Sequence, residues 1–468
     1  MTADLPATRG ACGNVSKPSC AGSEVATGFL REIPLPSGES TERSVWEMTT
    51  ETTSRDARLA HSLAGSYLAD DLVVVLAQEK LVMAQLGQWD ASPELQAEDR
   101  DTRLRLGRVR LHATPAVAAL RAAHQQWVHD AIAAARQEGY EPSDLDIVIR
   151  CLRFAFAQRF AGWVPAFGKN RIVSRAHGSY VIDGGGAGGG PRAMADYVVP
   201  LRDAAPGSGV RVGVVDTKVA QNPWLAGGYV ASASQILPEY ASPSLPVTAE
   251  HGTFVTGLIL RQAPGATVVV KAGLDDQASA DSWSLARTIA DLASSSTDVV
   301  NLSLGCLTDD NQPPLVLTAA LAALGPGTVA VAAAGNNGAT AEGQSPRPEW
   351  PAALDTVITV GALDDSNHPA PFSPEAPWVD VVAPGVEVVS TAVPRHRGGP
   401  LFAAWSGTSF ASAAVSGAIA ARVVPGVDPH DAWRSLSEHS PRDQHDRPIV
   451  ALGPLGTDGR GRRATVKP

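Results

Sequence analysis

The sequence predicts an α/β protein: a doubly wound, mostly parallel sheet preceded by an N-terminal α/β or mainly helical accessory domain. Three observations predict it. Beyond residue 208, short β-branched runs alternate with helical segments, the pattern of a parallel sheet covered on both faces. Between 56 and 182 the chain carries longer helical periodicity with only two short strand-like runs. Six glycines around one alanine at 184–190 separate the two regions.

In chain order, residues 1–55 are rich in Ser, Thr, Gly, Pro and Glu without periodicity and read as a disordered lead-in. The accessory domain, 56–182, contains a β-branched run at 72–76, helical spacing at 80–86 and a second strand-like run at 106–111. Two helices are expected after them, one over 115–137 and one over 143–161 that opens on a Ser-Asp cap. The stretch 183–207 reads as a Gly-rich linker. It satisfies Gly-x-Gly-x-x-Gly at Gly184, Gly186 and Gly189 after a strand-like 180–182, but Pro191-Arg192 opens no helix, so a dinucleotide site is set aside. The main domain, 208–440, has strand runs at 210–215, 266–270, 298–304, 328–333 and 356–360, and helices at 281–294 and Leu315–Leu324. Residues 441–468 read as a polar tail. Sheets of this kind carry their sites at the carboxyl ends of the strands.

The chain has 468 residues, 44% of them hydrophobic, enough for a large core and two or three domains. A formal net charge of −10 offers no basic surface for phosphates or anionic lipid, which removes nucleic acid and membranes from the expected partners. Cys12, Cys20, Cys151 and Cys306 are too few and too scattered for a disulfide framework and suit a reducing compartment. Cys12 and Cys20 have no neighbouring histidine and read as solvated thiols, not as half of a metal site. The N-terminal residues lack the basic and then apolar run of a secretory signal, and no run of about 18 apolar residues follows. The expected location is therefore cytoplasmic, and no cofactor or metal is called for.

Three segments place chemistry beside small residues at strand or helix ends. Asp216 ends the buried run Val-Gly-Val-Val-Asp-Thr; His251 opens a helix in Glu-His-Gly-Thr-Phe-Val-Thr-Gly; Ser409 opens an Ala-rich helix in Ser-Gly-Thr-Ser-Phe-Ala-Ser. A serine hydroxyl is a weak nucleophile at neutral pH. It needs a base within hydrogen-bond reach, and that base needs a third group to fix its tautomer and stabilise its cation. Asn336 ends another buried strand and offers an amide to a developing oxyanion, beside the positive end of the Ser409 helix. Singly, an Asp after a strand is a turn residue, a His a packing residue and a Ser before a helix an N-cap. Jointly and in this order they point to a triad. His430, His439 and His445 lie in polar sequence and read as surface residues.

These residues resemble the subtilisin family, whose order of Asp, His and Ser is that of Asp216, His251 and Ser409. The matching runs are Val-Val-Asp-Thr, His-Gly-Thr, Asn-Leu-Ser-Leu-Gly at 301–305, Ala-Ala-Gly-Asn at 333–336, Val-Ala-Pro-Gly at 382–385 and Gly-Thr-Ser, over roughly 208 to 425. The resemblance implies a three-layer, subtilisin-like α/β fold and a serine endopeptidase that hydrolyses protein or peptide substrates through an acyl-enzyme. It implies an oxyanion hole from Asn336 and the Ser409 amide. It also implies that Ser303, Leu304 and Gly305 form one wall of the pocket for the residue before the scissile bond, with Ala333, Ala334 and Gly335 facing them. Glu349, before the aromatic-Pro pair Trp350-Pro351, then lies near the floor. A carboxylate there favours Lys or Arg by a charge-assisted hydrogen bond of roughly 1.5 to 3 kcal/mol. Many family members carry a small α/β propeptide. Residues 70–175 are expected to be its functional relative or an unrelated accessory domain, in contact with the catalytic domain or with a partner protein.

The departures bear on local geometry, because none removes a proton-transfer group. Lys218 stands where the family usually has Gly, Phe254 where it has a second His, and Phe410-Ala-Ser-Ala413 where it has Met-Ala-Ser-Pro. They keep open an alternative, a catalytically impaired subtilisin-fold binding or scaffold protein. An α/β-hydrolase reading would pair Ser409 with Asp428 or Asp431 and His439 or His445, but it needs Gly-x-Ser-x-Gly and the chain reads Gly-Thr-Ser-Phe-Ala. A sedolisin reading would replace His251 and Asn336 with acids.

Overall fold

A computed structural model describes residues 59–453 apart from 63, 176–189, 196, 198–201, 203–205 and 339–345. The lead-in over 1–55, Cys12, Cys20, the glycines at 184–189, the strand-like 180–182 and the end of the tail lie outside the described residues.

The N-terminal part is α/β and built on an antiparallel sheet. Its elements are β1 (Leu59–Ser62), β2 (Gly65–Val75), α1 (Glu79–Gly87), β3 (Arg100–Asp101), β4 (Leu106–Arg110), α2 (Ala113–Ala123), α3 (Gln125–Gln137), α4 (Asp144–Arg159) and β5 (Phe167–Arg175). One face of the sheet buries Leu72, Val74 and Val109 against Val82, Leu120, Leu145 and Leu152 of the helices. Alternation explains the choice of face, since Leu72 and Val74 point one way and Val73 the other. The single helix expected over 115–137 is two helices. His124 leaves the helical region at φ −141° and ψ 49°, and its ring stacks on Trp127 at 4.1 Å, with no Gly or Pro to announce the break. Helix α4 opens on a capping box in which Ser143 and Asp146 exchange hydrogen bonds.

The rest of the described chain runs β6 (Arg192–Ala193), β7 (Arg211–Asp216), β8 (Tyr229–Val230), α5 (His251–Gln262), β9 (Thr267–Ala272), β10 (Ser279–Asp281), α6 (Ser282–Asp291), β11 (Val299–Leu302), β12 (Leu304–Gly305), α7 (Leu315–Leu324), β13 (Val329–Ala333), β14 (Val357–Leu363), β15 (Val381–Pro384), β16 (Val388–Thr391), β17 (Phe402–Trp405), α8 (Thr408–Ala420) and α9 (Pro429–His439). Seven strands form a parallel sheet in the order β15-β14-β13-β11-β7-β9-β8. Val212 and Val214 of β7 face one core with α5 and α8, while Val215 faces a second with α6 and α7. Burial on both faces makes three layers and accounts for the unbroken β-branched runs. Two stretches read as non-domain sequence belong to this body. Arg192 and Ala193, within 183–207, pair with Ala404 and Ala403 of β17, and the segment after 440 returns to bridge Ile449 to Val382 and bury Val450.

Strand β5 joins the two parts. It pairs antiparallel with β2 over its first half and then runs between β10 on one edge and β12 on the other, so that Ser174 lies opposite both Ser279 and Gly305. Val73, Leu104, Leu106 and Val173 bury a shared core with Trp283 of α6 and Val316 and Leu317 of α7. The polar residues of β5 face a buried ionic cluster. Asn170 donates to Asp71 and Asp281, each at 3.1 Å; Lys169 meets Asp309 at 2.8 Å and also Asp146; Arg171 meets Asp309 at 2.9 Å. No helix among the described residues is long and apolar enough to cross a membrane.

Burial alone would raise the Asp309 carboxyl, but the Lys169 and Arg171 cations outweigh it and hold it well below the usual carboxylate range. A depressed folded-state value stabilises above the unfolded value near 4 and is lost as the pH falls below it. Asp309→Asn leaves two buried cations short of a counter-charge and is expected to cost about 3 kcal/mol at neutral pH. Denaturant midpoints of parent and variant should converge as the pH is taken below about 4; an equal gap at both pH values would contradict this account.

Candidate active site

Asp216 is the last residue of β7, buried at the carboxyl edge of the sheet, and His251 is the first residue of α5, also buried. His251 Nδ1 donates to both carboxylate oxygens of Asp216, at 2.8 and 2.9 Å. Thr217 sets this pair. Its amide donates to Asp216 Oδ1 at 2.7 Å, its hydroxyl donates to the Ala249 carbonyl at 3.0 Å, and that hydroxyl accepts from the Gly252 amide at 2.8 Å. One threonine thus ties the end of β7 to the first turn of α5. Glu250, just before His251, is ion-paired with Arg395.

Ser409 lies in the first turn of α8, where unsatisfied amides and the helix dipole present positive potential. Its hydroxyl donates to the Ser303 carbonyl at 3.4 Å. Helix α8 is held against the sheet by a strip of buried hydroxyls and one amide. Asn301 Nδ2 donates to Ser303 Oγ at 2.9 Å, Ser303 Oγ donates to the Ser409 carbonyl at 2.8 Å, and Ser416 Oγ donates to Asn301 Oδ1 at 3.0 Å. The His251 ring stands 5.4 Å from that of Phe410, the neighbour of Ser409.

Asn336 follows β13 through Gly335, whose φ of +100° suits glycine. Its Oδ1 accepts from the Thr408 amide at 2.9 Å and from the Thr408 hydroxyl at 3.1 Å. With the oxygen so held, the Nδ2 end of the amide is turned away from Thr408. The departures Phe254 and Phe410 pack on each other at 4.5 Å, and both meet Trp405, at 5.7 and 5.1 Å. The larger side chains fill one apolar cluster behind His251 instead of opening a gap.

Ser303, Leu304 and Ala334 are buried, and Glu349 is fully buried. An antiparallel bridge between Cys306 and Trp350, with N–H to carbonyl distances of 2.8 and 2.9 Å, carries Glu349 in behind β12. A Cβ on Gly305 would come within 2.5 Å of Glu349 Oε1, and one on Gly335 within 3.0 Å of Oε2. The Glu349 carboxylate therefore sits between the two glycines. His430, His439 and His445 are exposed. Among the described residues no group of three His, Cys, Asp or Glu could hold a metal ion.

Sequence reasoning did not single out Thr217, Asn301, Thr408 or Ser416 as supports. Thr217, Asn301 and Thr408 lie within the family-like runs, whereas the only signal for Ser416 was a polar residue inside an otherwise apolar, buried helix.

A profile of the subtilase family matches residues 207–442, and the chain belongs to that family. It is 36% identical over 221 residues to the thermophilic serine proteinase of Bacillus sp. (strain AK1), across 45% of this chain and 51% of that protein. It is 33% identical over 266 residues to subtilisin E of Bacillus subtilis (strain 168), across 54% of this chain and 64% of that protein. To subtilisin of Bacillus pumilus it is 30% identical over 266 residues, across 54% of this chain and 89% of that protein. The chain thus spans between half and two thirds of the length of the first two relatives.

Proposed function

We propose that this chain is a serine endopeptidase in which Ser409 attacks the peptide carbonyl, His251 takes its proton and Asp216 holds and stabilises the base. The observation that carries the reading is the buried Asp216–His251 pair, with Nδ1 held by both carboxylate oxygens, which leaves Nε2 as the ring nitrogen for proton transfer. Attack forms the Oγ–C bond as the hydroxyl proton moves to Nε2. The resulting oxyanion takes hydrogen bonds from Asn336 Nδ2 and the Ser409 amide. Collapse breaks the C–N bond as Nε2 returns the proton to the leaving amine, and water then releases the acyl group by the same steps in reverse order. An impaired scaffold has less support, since Phe254 and Phe410 complete a packed cluster and remove no proton-transfer group.

A second reading concerns the N-terminal part, which we read as inhibitory. What supports it is strand β5, which adds to the facing edges of β10 and β12 in the manner of an extended peptide, beside Ser303 and Ser409. The Asp309→Asn chain, with that strand less firmly held, should hydrolyse a peptide faster than the parent. An unchanged or lower rate counts against inhibition.

Ser409→Ala should abolish hydrolysis of a denatured protein while the circular dichroism spectrum stays that of the parent; retained full turnover would sink the assignment. Asn336→Ala should lower kcat by about 10² to 10³ with little change in KM, because an oxyanion donor acts mainly in the transition state.

Glu349 between Gly305 and Gly335 supports a preference for Lys or Arg before the scissile bond. The check compares kcat/KM for peptides with Lys or Leu at that position. The parent should favour Lys by about tenfold or more, from a charge-assisted bond of roughly 1.5 to 3 kcal/mol, and Glu349→Gln should lose most of that preference. No preference in the parent, or the same preference in the variant, removes Glu349 from the pocket.

A further inference from the structure

We propose that Trp405 is a specificity-determining residue: the face of its indole receives an arginine carried by the substrate at the second position before the scissile bond. In the intact chain Arg175 of β5 holds that place. The inference rests on the reading of Ser409 as nucleophile and of β10 and β12 as the edges that bind a peptide.

The register identifies the position. Gly305 lies opposite Ser174 and Leu304 opposite Arg175. Ser303, the next residue along, accepts the Ser409 hydroxyl at 3.4 Å through its carbonyl. A peptide antiparallel to β12 therefore reaches the nucleophile with the residue opposite Ser303, and the residue opposite Leu304 comes immediately before it.

The contact identifies the chemistry. Arg175 Cζ stands 6.0 Å from the Trp405 ring centroid, within the roughly 6 Å reach of a cation–π contact. The same indole meets the His251 ring nearly edge-on, at 5.8 Å and 82°, so the arginine subsite adjoins the base. Burial pushes the Arg175 guanidinium below its ordinary value while the charge of Asp216 pulls it up, in keeping with a desolvated cation near the Asp216–His251 pair. Desolvation strengthens a cation–π contact, and a planar guanidinium stacks on indole where a lysine ammonium does not. Leucine at this position has no charge to offer the ring, and citrulline keeps the shape of arginine without its charge.

Two internally quenched peptides, identical except for arginine or citrulline at the second position before the cleaved bond, test the proposal. The full-length chain is incubated until its hydrolysis rate is constant, and kcat and KM are measured for each peptide. Arginine should be favoured by about threefold to thirtyfold in kcat/KM, mainly through KM, and Trp405→Leu should bring the ratio close to one. A ratio near one in the parent, or an unchanged ratio in Trp405→Leu, overturns the proposal. Trp405 is buried, so Trp405→Phe serves if the leucine variant does not fold: the smaller ring should give an intermediate ratio, and a ratio equal to the parent's overturns the proposal as well. If neither peptide is cut, the peptidase reading fails and the subsite falls with it. If both are cut equally well, the subsite alone fails.

Discussion

Parallel pairing of β7 with β11, and of β11 with β13, brings three carboxyl ends together at one edge of the sheet, and the rest of the site hangs on that register. From this edge the chain delivers Asp216 at the end of β7, Ser303 just past β11 and Asn336 just past β13. Helices α5 and α8 then begin at the same edge, with His251 and Ser409 in their first turns. Strand ends supply fixed side chains and helix starts supply free amides, so charge and hydrogen-bond donors converge without a long ordered loop. Side-chain hydroxyls lock the convergence. Thr217 ties α5 to β7, Thr408 orients Asn336, and Asn301 with Ser303 and Ser416 ties α8 to β11.

Much of this was legible because parallel strands buried on both faces must be apolar and β-branched throughout. The five runs in the main domain were visible for that reason, and α7 was legible to the residue. Asp216, His251, Asn336 and Ser409 stood out as polar residues that end or begin such runs. Other elements were hidden for equally physical reasons. Strand β5 carries Lys169, Asn170 and Arg171, which look like solvated sequence; their partners Asp71, Asp146, Asp281 and Asp309 come from four separate elements or loops. The break between α2 and α3 depends on a stacked His124–Trp127 pair, a contact with no composition signal. The two-residue strand β6 exists through its pairing with β17, which is itself paired to β16, and not through local propensity.

The same strand that was hardest to see couples the two parts of the molecule. β5 is bonded to β2 along its first half and lies between β10 and β12 along its second, so its ordering and that of the cleft are linked. Apolar contacts of Val73, Leu106 and Val173 with α6 and α7 hold the N-terminal sheet in place, while the buried cations and carboxylates around Asp309 fix its register. Charge clusters of this type penalise a misregistered strand more than they stabilise a correct one, because any slip leaves a buried ion without its partner. A strand so defined can enter the cleft in a single alignment, which brings Arg175 to Trp405 beside His251.

The central claim is that the Asp216–His251 pair activates Ser409, and its most direct measurement is covalent labelling. The chain is treated with a fluorophosphonate, which reacts with an activated serine and spares ordinary hydroxyls, and the modified residue is located by mass spectrometry. The account expects one adduct, on Ser409, and its loss in His251→Ala. An adduct on another serine, no adduct at all, or labelling that persists at the parent's rate in His251→Ala would contradict it.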